Sequence, residues 1–299
     1  MTNMKTLLAA SVLASLTTAA HADPKPLEVA VFTASPAGFL VDSTLITGDK
    51  DAILIDAQFD LADAHRLVAQ ILESKKNLTN VYITHAHPDH YFGLEVIHAA
   101  FPKAKLVALP ATVAEIKKTW AAKVKQWSPM FGANLASKPL IPSPLSGNVI
   151  TLEGQPLEIH GPVQGDASTD SYVWIPSIKT VVLGDIAYQG VFPWTAETSA
   201  EARAGWVKTL DEVAALGATT VIAGHKDPKL MDDASGIAAT KAYLKDFDAA
   251  VATSKSAAEL QAKMKAKYPK LAMDIVLQIG AGAAFPAAPA AATPAGTKK

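Results

Sequence analysis

Thr84-His85-Ala86-His87-Pro88-Asp89-His90 places three histidines and one aspartate within seven consecutive residues. Imidazole nitrogen and carboxylate oxygen are the zinc ligands that remain available to a chain without cysteine, and this chain has none. In an extended loop, alternate residues such as His85 and His87 point toward one ion, while the adjacent Asp89 and His90 reach a second. The stretch therefore predicts a metal site, because an ordinary polar loop rarely concentrates these residue types.

The residues before this stretch predict a sheet whose strands alternate with helices. Three extended runs come first, at Glu28–Phe32, Leu40–Thr47 and Ala52–Ile55, and apolar residues then recur at helical spacing from Leu61 to Leu72. The apolar run Val81-Tyr82-Ile83 follows as a buried strand. The histidine-rich stretch therefore lies at the carboxyl end of a strand, where α/β sheets usually bind their ligands.

A second block of similar element order follows a proline-rich connection at residues 129–144. A helix over Thr112–Trp127 precedes the connection, and one further helix over Ala234–Lys267 packs on the body. The elements predicted between them are the strands Val149–Leu152, Leu157–His160, Tyr172–Ile175, Thr180–Leu183 and Thr219–Ala223 and the helix Ala200–Leu216. The chain is thus predicted to form two related α/β halves.

Both ends of the chain are predicted to lie outside the folded domain, which spans residues 23–279. Lys5, the apolar run that ends at Leu16 and the small residues of Ala20-His21-Ala22 are typical of a signal peptide over residues 1–22. Cleavage there predicts a periplasmic or secreted protein without a membrane segment. Residues 280–299 are mostly alanine, proline and glycine, a composition typical of a disordered tail.

The charge balance favours a small-molecule substrate. The net charge is −1, with 27 basic and 28 acidic residues, so the chain has no broad positive field that would attract nucleic acid. The sequence gives no indication of the oligomeric state.

The motif His-x-His-x-Asp-His after an apolar strand resembles the signature of the metallo-β-lactamase superfamily, and the resemblance extends from about Val29 to His225. It implies a four-layer αββα sandwich of two similar halves with the metal site at one edge. Leu183-Gly184-Asp185 is similar to the strand end that supplies a bridging carboxylate, and Ile222-Ala223-Gly224-His225 to the one that supplies the last ligand. By the family pattern, His85 and His87 would bind the first ion, Asp89, His90 and His225 the second, and Asp185 both.

One position departs from this pattern. The family usually has a histidine in a Gly-His-Thr turn as the third ligand of the first ion, whereas this chain has Gly165-Asp166-Ala167. Either Asp166 binds the metal, since a carboxylate is an accepted zinc ligand, or the first site is weak and one ion is bound. His160 is a rival third ligand, although it lies within a predicted strand instead of the turn.

The resemblance implies a zinc-dependent hydrolase in which two zinc ions, or one, provide a metal-bound hydroxide. Asp89 is placed both to bind metal and to orient or relay a proton, and is therefore the candidate catalytic residue. Members of the superfamily open lactams and lactones and cleave thioesters and other esters, so fold does not decide the substrate; we favour a carboxylic ester or lactone. A mononuclear iron oxygenase-type enzyme and a metal-binding protein without turnover remain as alternatives.

Several aromatic residues are candidates for the wall of a substrate pocket, with core packing as the equal alternative. They are Trp127 and Phe131 in the proline-rich connection, with Met130 beside them, and Tyr188, Phe192 and Trp194 after the predicted bridging aspartate. The loop Thr33–Phe39 is a candidate lid. Asp63 is expected to be a solvated charge on a helix. Lys226 and Tyr188 are candidates for an oxyanion contact.

Overall fold

A computed structural model describes residues 25–286 of the chain. The predicted signal peptide over residues 1–22 and residues 287–299 of the predicted tail lie outside these described residues. Two large sheets, flanked by helices, form the body of the structure.

The first sheet carries the histidine-rich stretch at the end of its fourth strand and has its six strands in sequence order. The first three strands pair antiparallel, and every later neighbour pairs parallel. The strands are β1 (Glu28–Thr33), β2 (Asp42–Thr47), β3 (Asp51–Ile55), β4 (Asn77–Ile83), β5 (Lys105–Ala108) and β6 (Ser143–Pro144). The strands that the sequence predicted before the motif are thus present, with ends shifted by a few residues.

The second sheet has five strands in the order β12-β10-β9-β8-β7. Its strands β10 and β12 are parallel, and the other neighbours are antiparallel. Its strands are β7 (Val149–Leu152), β8 (Gln155–Val163), β9 (Asp170–Ile175), β10 (Thr180–Val182) and β12 (Thr220–Ile222). Two further short strands, β11 (Tyr188–Gln189) and β13 (His225–Lys226), pair parallel with each other.

Eight α-helices cover the outer faces of the sheets among residues 25–286, and none is long and apolar enough to span a membrane. The helices are α1 (Leu61–Glu73), α2 (Pro88–Tyr91), α3 (Leu94–Ala100), α4 (Pro110–Phe131), α5 (Ala200–Ala215), α6 (Ser235–Thr253), α7 (Ala257–Lys267) and α8 (Asp274–Ala284).

The strands send alternate side chains into different layers, as the two-residue period of a strand requires. On β4, Val81 and Ile83 pack toward helices on the outer face, whereas Tyr82 packs between the two sheets. On β10, Val181 joins the outer cluster that contains Trp206 of α5, and its neighbours on the strand face inward. The result is the predicted four-layer αββα sandwich.

Two predictions about the C-terminal part were wrong. The segment predicted as one helix is two, α6 and α7, because Ser256 caps a new helix by accepting a hydrogen bond from the backbone N–H of Glu259. The domain boundary at residue 279 was too early, since α8 continues to Ala284 and its Gly280 and Ala281 are buried. The alanine-rich composition of this segment resembles that of a disordered tail, although one apolar face of the helix packs on the body of the structure.

Candidate metal centre

The loops at one edge of the sandwich bring all seven predicted ligand residues together. Two groups form, each with four ligand atoms within 4.8 Å of one another, and Asp185 belongs to both. The first group is His85, His87, Asp166 and Asp185; the second is Asp89, His90, Asp185 and His225. The family pattern implied the same division for six of these residues, and left open whether Asp166 binds the first ion.

Parallel pairing of β10 and β12 explains why the loops that follow these two strands meet. The stretch Thr84–His90 follows β4, whereas Asp185 and His225 follow β10 and the neighbouring β12, which run parallel to each other. Asp166 lies in the turn between β8 and β9. Gly224 allows the close approach of these loops, since a Cβ atom there would overlap the carboxylate of Asp185 and the backbone of Gly184.

Three histidines of the centre have their outer ring nitrogen next to a buried polar group that orients the ring. The Nδ1 atom of His90 lies 2.8 Å from Oδ2 of Asp56, and Nδ1 of His85 lies 3.0 Å from Oγ1 of Thr84. The Nδ1 atom of His225 lies 2.7 Å from the carbonyl oxygen of Phe39. Metal-binding histidines in proteins are usually oriented by such second partners. The inner nitrogens of these rings are thereby left to face the centre.

The carboxylates of the centre strongly favour positive charge on the histidines. Burial opposes protonation of His225, yet Asp185 and Asp89 raise its pKa to about 10. Burial likewise opposes the charge of Asp89, but His90 and His225 lower its pKa to about 2. Three buried carboxylates need positive charge nearby, because an unpaired buried anion is costly. A divalent cation would supply that charge and displace the protons.

The donor set fits divalent metal ions. Among residues 25–286, Nε2 of His85 and Oδ1 of Asp166 are buried and have no hydrogen-bond partner, and the buried Nε2 of His90 faces Oδ1 of Asp185 at 3.0 Å without hydrogen-bond geometry. Buried polar atoms without partners are rare in proteins and require an explanation. Nitrogen and oxygen donors that converge without partners are what a zinc ion requires.

Asp166 takes the place of the histidine that the family pattern leads one to expect. Its Oδ2 atom lies 3.1 Å from Nδ1 of His87 and accepts a hydrogen bond of 2.8 Å from the hydroxyl of Tyr188. The rival residue His160 is not part of either group; its ring stacks on Tyr172 at 4.8 Å, on strand β8. The structure therefore favours Asp166 over His160 as the residue that completes the first group.

The model of the metallo-beta-lactamase superfamily matches residues 36–225. The chain belongs to this superfamily. The matched range contains every residue of the two ligand groups. No curated protein matches the chain significantly in sequence.

Solved structures of metallo-beta-lactamase superfamily proteins share the fold. The DIM-1 metallo-beta-lactamase has a TM-score of 0.54 and 19% identity, with 74% of this chain and 94% of that chain covered. A metallo-beta-lactamase family protein from Thermus thermophilus has a TM-score of 0.62 and 19% identity, with 87% and 91% covered. A metallo-beta-lactamase from Pontibacter korlensis has a TM-score of 0.56 and 18% identity, with 76% and 98% covered. At these identities the likeness shows the fold alone.

A pocket opens beside the centre of this metallo-beta-lactamase superfamily protein. Its floor contains residues of the centre, and its wall is mostly apolar. The floor residues are His87, Asp89, Asp185, Tyr188 and His225, and the wall includes Phe39, Phe59, Trp127, Val191, Phe192, Trp194, Met273 and Val276. Of the aromatic residues proposed from sequence, Trp127, Tyr188, Phe192 and Trp194 line the pocket, whereas Met130 is exposed.

The loop between β1 and β2 connects the pocket wall to the centre through Phe39. Its ring lines the pocket, and its carbonyl oxygen contacts His225. Phe39 and Leu40 both have left-handed backbone angles, with φ of 65° and 55°, which are unfavourable for such side chains. The loop is held by Asp63, which accepts hydrogen bonds from the backbone and the hydroxyl of Ser35. The prediction that Asp63 is a solvated charge was therefore wrong.

Sequence reasoning missed three residues next to the centre. Asp56 follows β3 as the histidine motif follows the parallel strand β4, so its position at the sheet edge could have been found. Glu197 and Lys123 are distant in sequence from the histidine motif and belong to no recognisable motif.

Lys226, a candidate for an oxyanion contact, is buried and forms an ion pair with Asp232 instead of lining the pocket.

Proposed function

We propose that this chain is a zinc-dependent hydrolase of a small carboxylic ester or lactone. The observation that carries the proposal is the pair of four-residue ligand groups joined by Asp185. Asp185 in this position resembles the bridging carboxylate of the hydrolytic branches of the superfamily. His85, His87 and Asp166 would hold one zinc ion, Asp89, His90 and His225 the other, and Asp185 both.

Two zinc ions, when bound, supply an activated water and polarise the carbonyl group of the substrate. Asp89 provides the proton-handling group. Its Oδ2 atom lies 3.2 Å from Nε2 of His225, and its side chain is 14% exposed toward the pocket. A carboxylate in this position orients water through one oxygen and accepts its proton, which it then passes to the leaving oxygen.

Tyr188 provides a hydroxyl at the floor of the pocket. The hydroxyl lies 2.8 Å from Oδ2 of Asp185 and 2.8 Å from Oδ2 of Asp166, and the ring stacks on His225 with an interplanar angle of 4°. Carboxylates only accept hydrogen bonds, so the one hydroxyl proton of Tyr188 serves Asp166 and Asp185 and orients them as ligands. The sequence had offered Tyr188 for an oxyanion contact, and these hydrogen bonds support a positioning role instead.

The pocket supports a substrate with an apolar part. Aromatic side chains form much of its wall, and Phe39, Phe59 and Trp127 pack at steep angles to one another, with centroid distances between 5.3 and 5.7 Å. Such a wall binds an acyl chain or a ring by burial of apolar surface. Apart from Lys123, the charged side chains of the pocket lie on the floor, where the reacting bond would lie.

The proposal is tested by metal analysis together with a substrate panel. Protein stripped of metal should gain hydrolysis of chromogenic esters or lactones when two equivalents of zinc are added. A His160→Ala variant provides the matched control, since it removes a histidine outside both groups and should behave as the parent protein. Hydrolysis that is equal with and without metal would contradict the proposal, and so would the absence of turnover on esters, lactones, lactams and thioesters. Purified protein with one iron ion would point instead to an oxygenase-type enzyme.

A further inference from the structure

The outer nitrogen of His87 is supported differently from those of the other three histidines. His85, His90 and His225 are oriented by Thr84, Asp56 and the carbonyl oxygen of Phe39, all of which are buried. The Nε2 atom of His87 instead lies 3.4 Å from Oε2 of Glu197, whose side chain is 43% exposed. Orientation of this ring thus depends on a residue at the surface.

Glu197 is held in place by a lysine from a different part of the chain. Nζ of Lys123 on α4 lies 2.5 Å from Oε1 of Glu197, and the lysine side chain is only 13% exposed. Each oxygen of Glu197 therefore has its own partner, Lys123 on one side and His87 on the other. An exposed glutamate alone would lose side-chain entropy when fixed in one position, and the ion pair offsets that cost.

The position of Glu197 determines which nitrogen of His87 is available to a metal. Nδ1 faces Asp166 at 3.1 Å and belongs to the first ligand group, so it must present its lone pair there. The proton of the neutral ring then lies on Nε2, and Glu197 is the acceptor on that side. A carboxylate on the outer nitrogen also makes the inner nitrogen a stronger donor.

We propose that Glu197 is a positioning residue for His87, and that Lys123 acts on the metal centre through Glu197. The inference rests on the proposed function, since it assumes that His87 binds metal. Lys123 and His87 line both the substrate pocket and a second, polar cavity, whereas Glu197 lines only the second cavity. The contacts that orient His87 of the first ligand group therefore lie at the boundary between these two cavities.

The direction in which loss of Lys123 changes metal affinity distinguishes this proposal from a direct electrostatic effect of the lysine on the bound cations. A lysine near bound cations repels them through space, so its removal by itself would tighten metal binding. If Lys123 instead holds Glu197 against His87, its removal weakens metal binding. Lys123→Met is the informative substitution, because it keeps the length of the side chain and removes the charge.

The test is a zinc titration of metal-free protein against a chromophoric chelator, which resolves the binding constants without any substrate. Glu197→Ala should lower zinc affinity at one site by about 10- to 100-fold, the range that is typical when the outer partner of a histidine ligand is lost. Lys123→Met should weaken the same site by less. In a Glu197→Ala background, Lys123→Met should not weaken this site further, because the two residues act in one chain of contacts. Glu201→Gln, an exposed glutamate at the start of α5, is the matched control and should leave both constants unchanged.

The outcomes are distinct from those for the proposed function. A parent protein that binds no zinc contradicts the function itself, and this inference with it. A parent protein that binds two zinc ions, with Lys123→Met binding equally well or more tightly, overturns the inference and leaves the function intact. Both substituted side chains reach the surface, so the variants should fold, and circular dichroism with a thermal melt verifies this.

Discussion

Oδ2 of Asp166 lies 3.1 Å from Nδ1 of His87, at the position where the family pattern has a histidine. The first ligand group thus contains two carboxylates, Asp166 and Asp185, beside two histidines. An anion in place of a neutral imidazole lowers the net charge of the loaded site by one unit. A bound water then experiences a weaker positive field and loses its proton less readily.

Asp166→His should move the rise of the pH–rate profile toward acid. The substitution restores one unit of positive charge at the first group, which lowers the pKa of the attacking water. Hydrolysis rates measured between about pH 5 and 10 at saturating zinc, for the parent and the variant, provide the comparison. A profile that is unchanged or displaced toward alkali would show that Asp166 does not control the charge at the reacting water.

Asp89→Asn should retain the fold and lose activity by about 10²-fold or more, since it removes a proton acceptor of the type whose contribution is usually of this size. The substitution preserves the shape of the side chain. Steady-state kinetics with zinc in excess give the ratio, and circular dichroism verifies the fold. An activity close to that of the parent would remove Asp89 from the mechanism.

Tyr188→Phe should weaken zinc binding by about 10- to 100-fold, because loss of the outer hydrogen-bond partner of a metal ligand typically has this cost. The stack on His225 does not require the hydroxyl and should persist. Chelator titration of the metal-free variant measures the change. Zinc affinity equal to that of the parent would show that the hydroxyl does not position Asp166 and Asp185.

The residues of the two proposed ligand groups could be found from the sequence, because it presents them in compact motifs at strand ends. His85, His87, Asp89 and His90 lie within six residues, and Asp185 and His225 each follow a glycine at the end of a predicted strand. The αββα architecture followed from apolar periodicity together with the family resemblance. A local sequence pattern is sufficient to find such residues, because the backbone of one short loop brings its own side chains together.

The supporting residues were not predictable in the same way, since they act through contacts between distant parts of the chain. Glu197 is separated from His87 by 110 residues and from Lys123 by 74, and neither contact leaves a local pattern. Asp63 appeared to be a surface charge because its helix is amphipathic, yet Ser35 of the β1–β2 loop covers it. Only the tertiary arrangement reveals these pairs.

Asp42 predicts a pH-dependent stability that can be measured in the metal-free protein. It is buried on β2, and burial raises its pKa to about 7, although Thr33 donates a hydrogen bond to it at 2.5 Å. The ordinary pKa of an aspartate in an unfolded chain is about 3.9, so the native state binds more protons than the unfolded state between about pH 4 and 7. Its burial therefore reduces the free energy of unfolding progressively as the pH rises through this window.

Asp42→Asn should abolish this contribution, because the amide does not titrate. The free energy of unfolding of the variant, relative to the parent, should therefore increase from about pH 4.5 to about pH 8. Urea unfolding of the metal-free proteins at both values measures the difference. A constant difference would mean that Asp42 is ionised in the native state throughout the range.

The zinc stoichiometry of Asp166→Ala tests the central claim most directly, namely that Asp166 completes a two-metal centre. Elemental analysis and chelator titration should give two zinc ions for the parent protein and one for the variant, with the fold intact and most activity lost. Asp166→His should again bind two. If Asp166→Ala binds two zinc ions with the affinity and the rate of the parent, Asp166 is not a ligand and the account is contradicted.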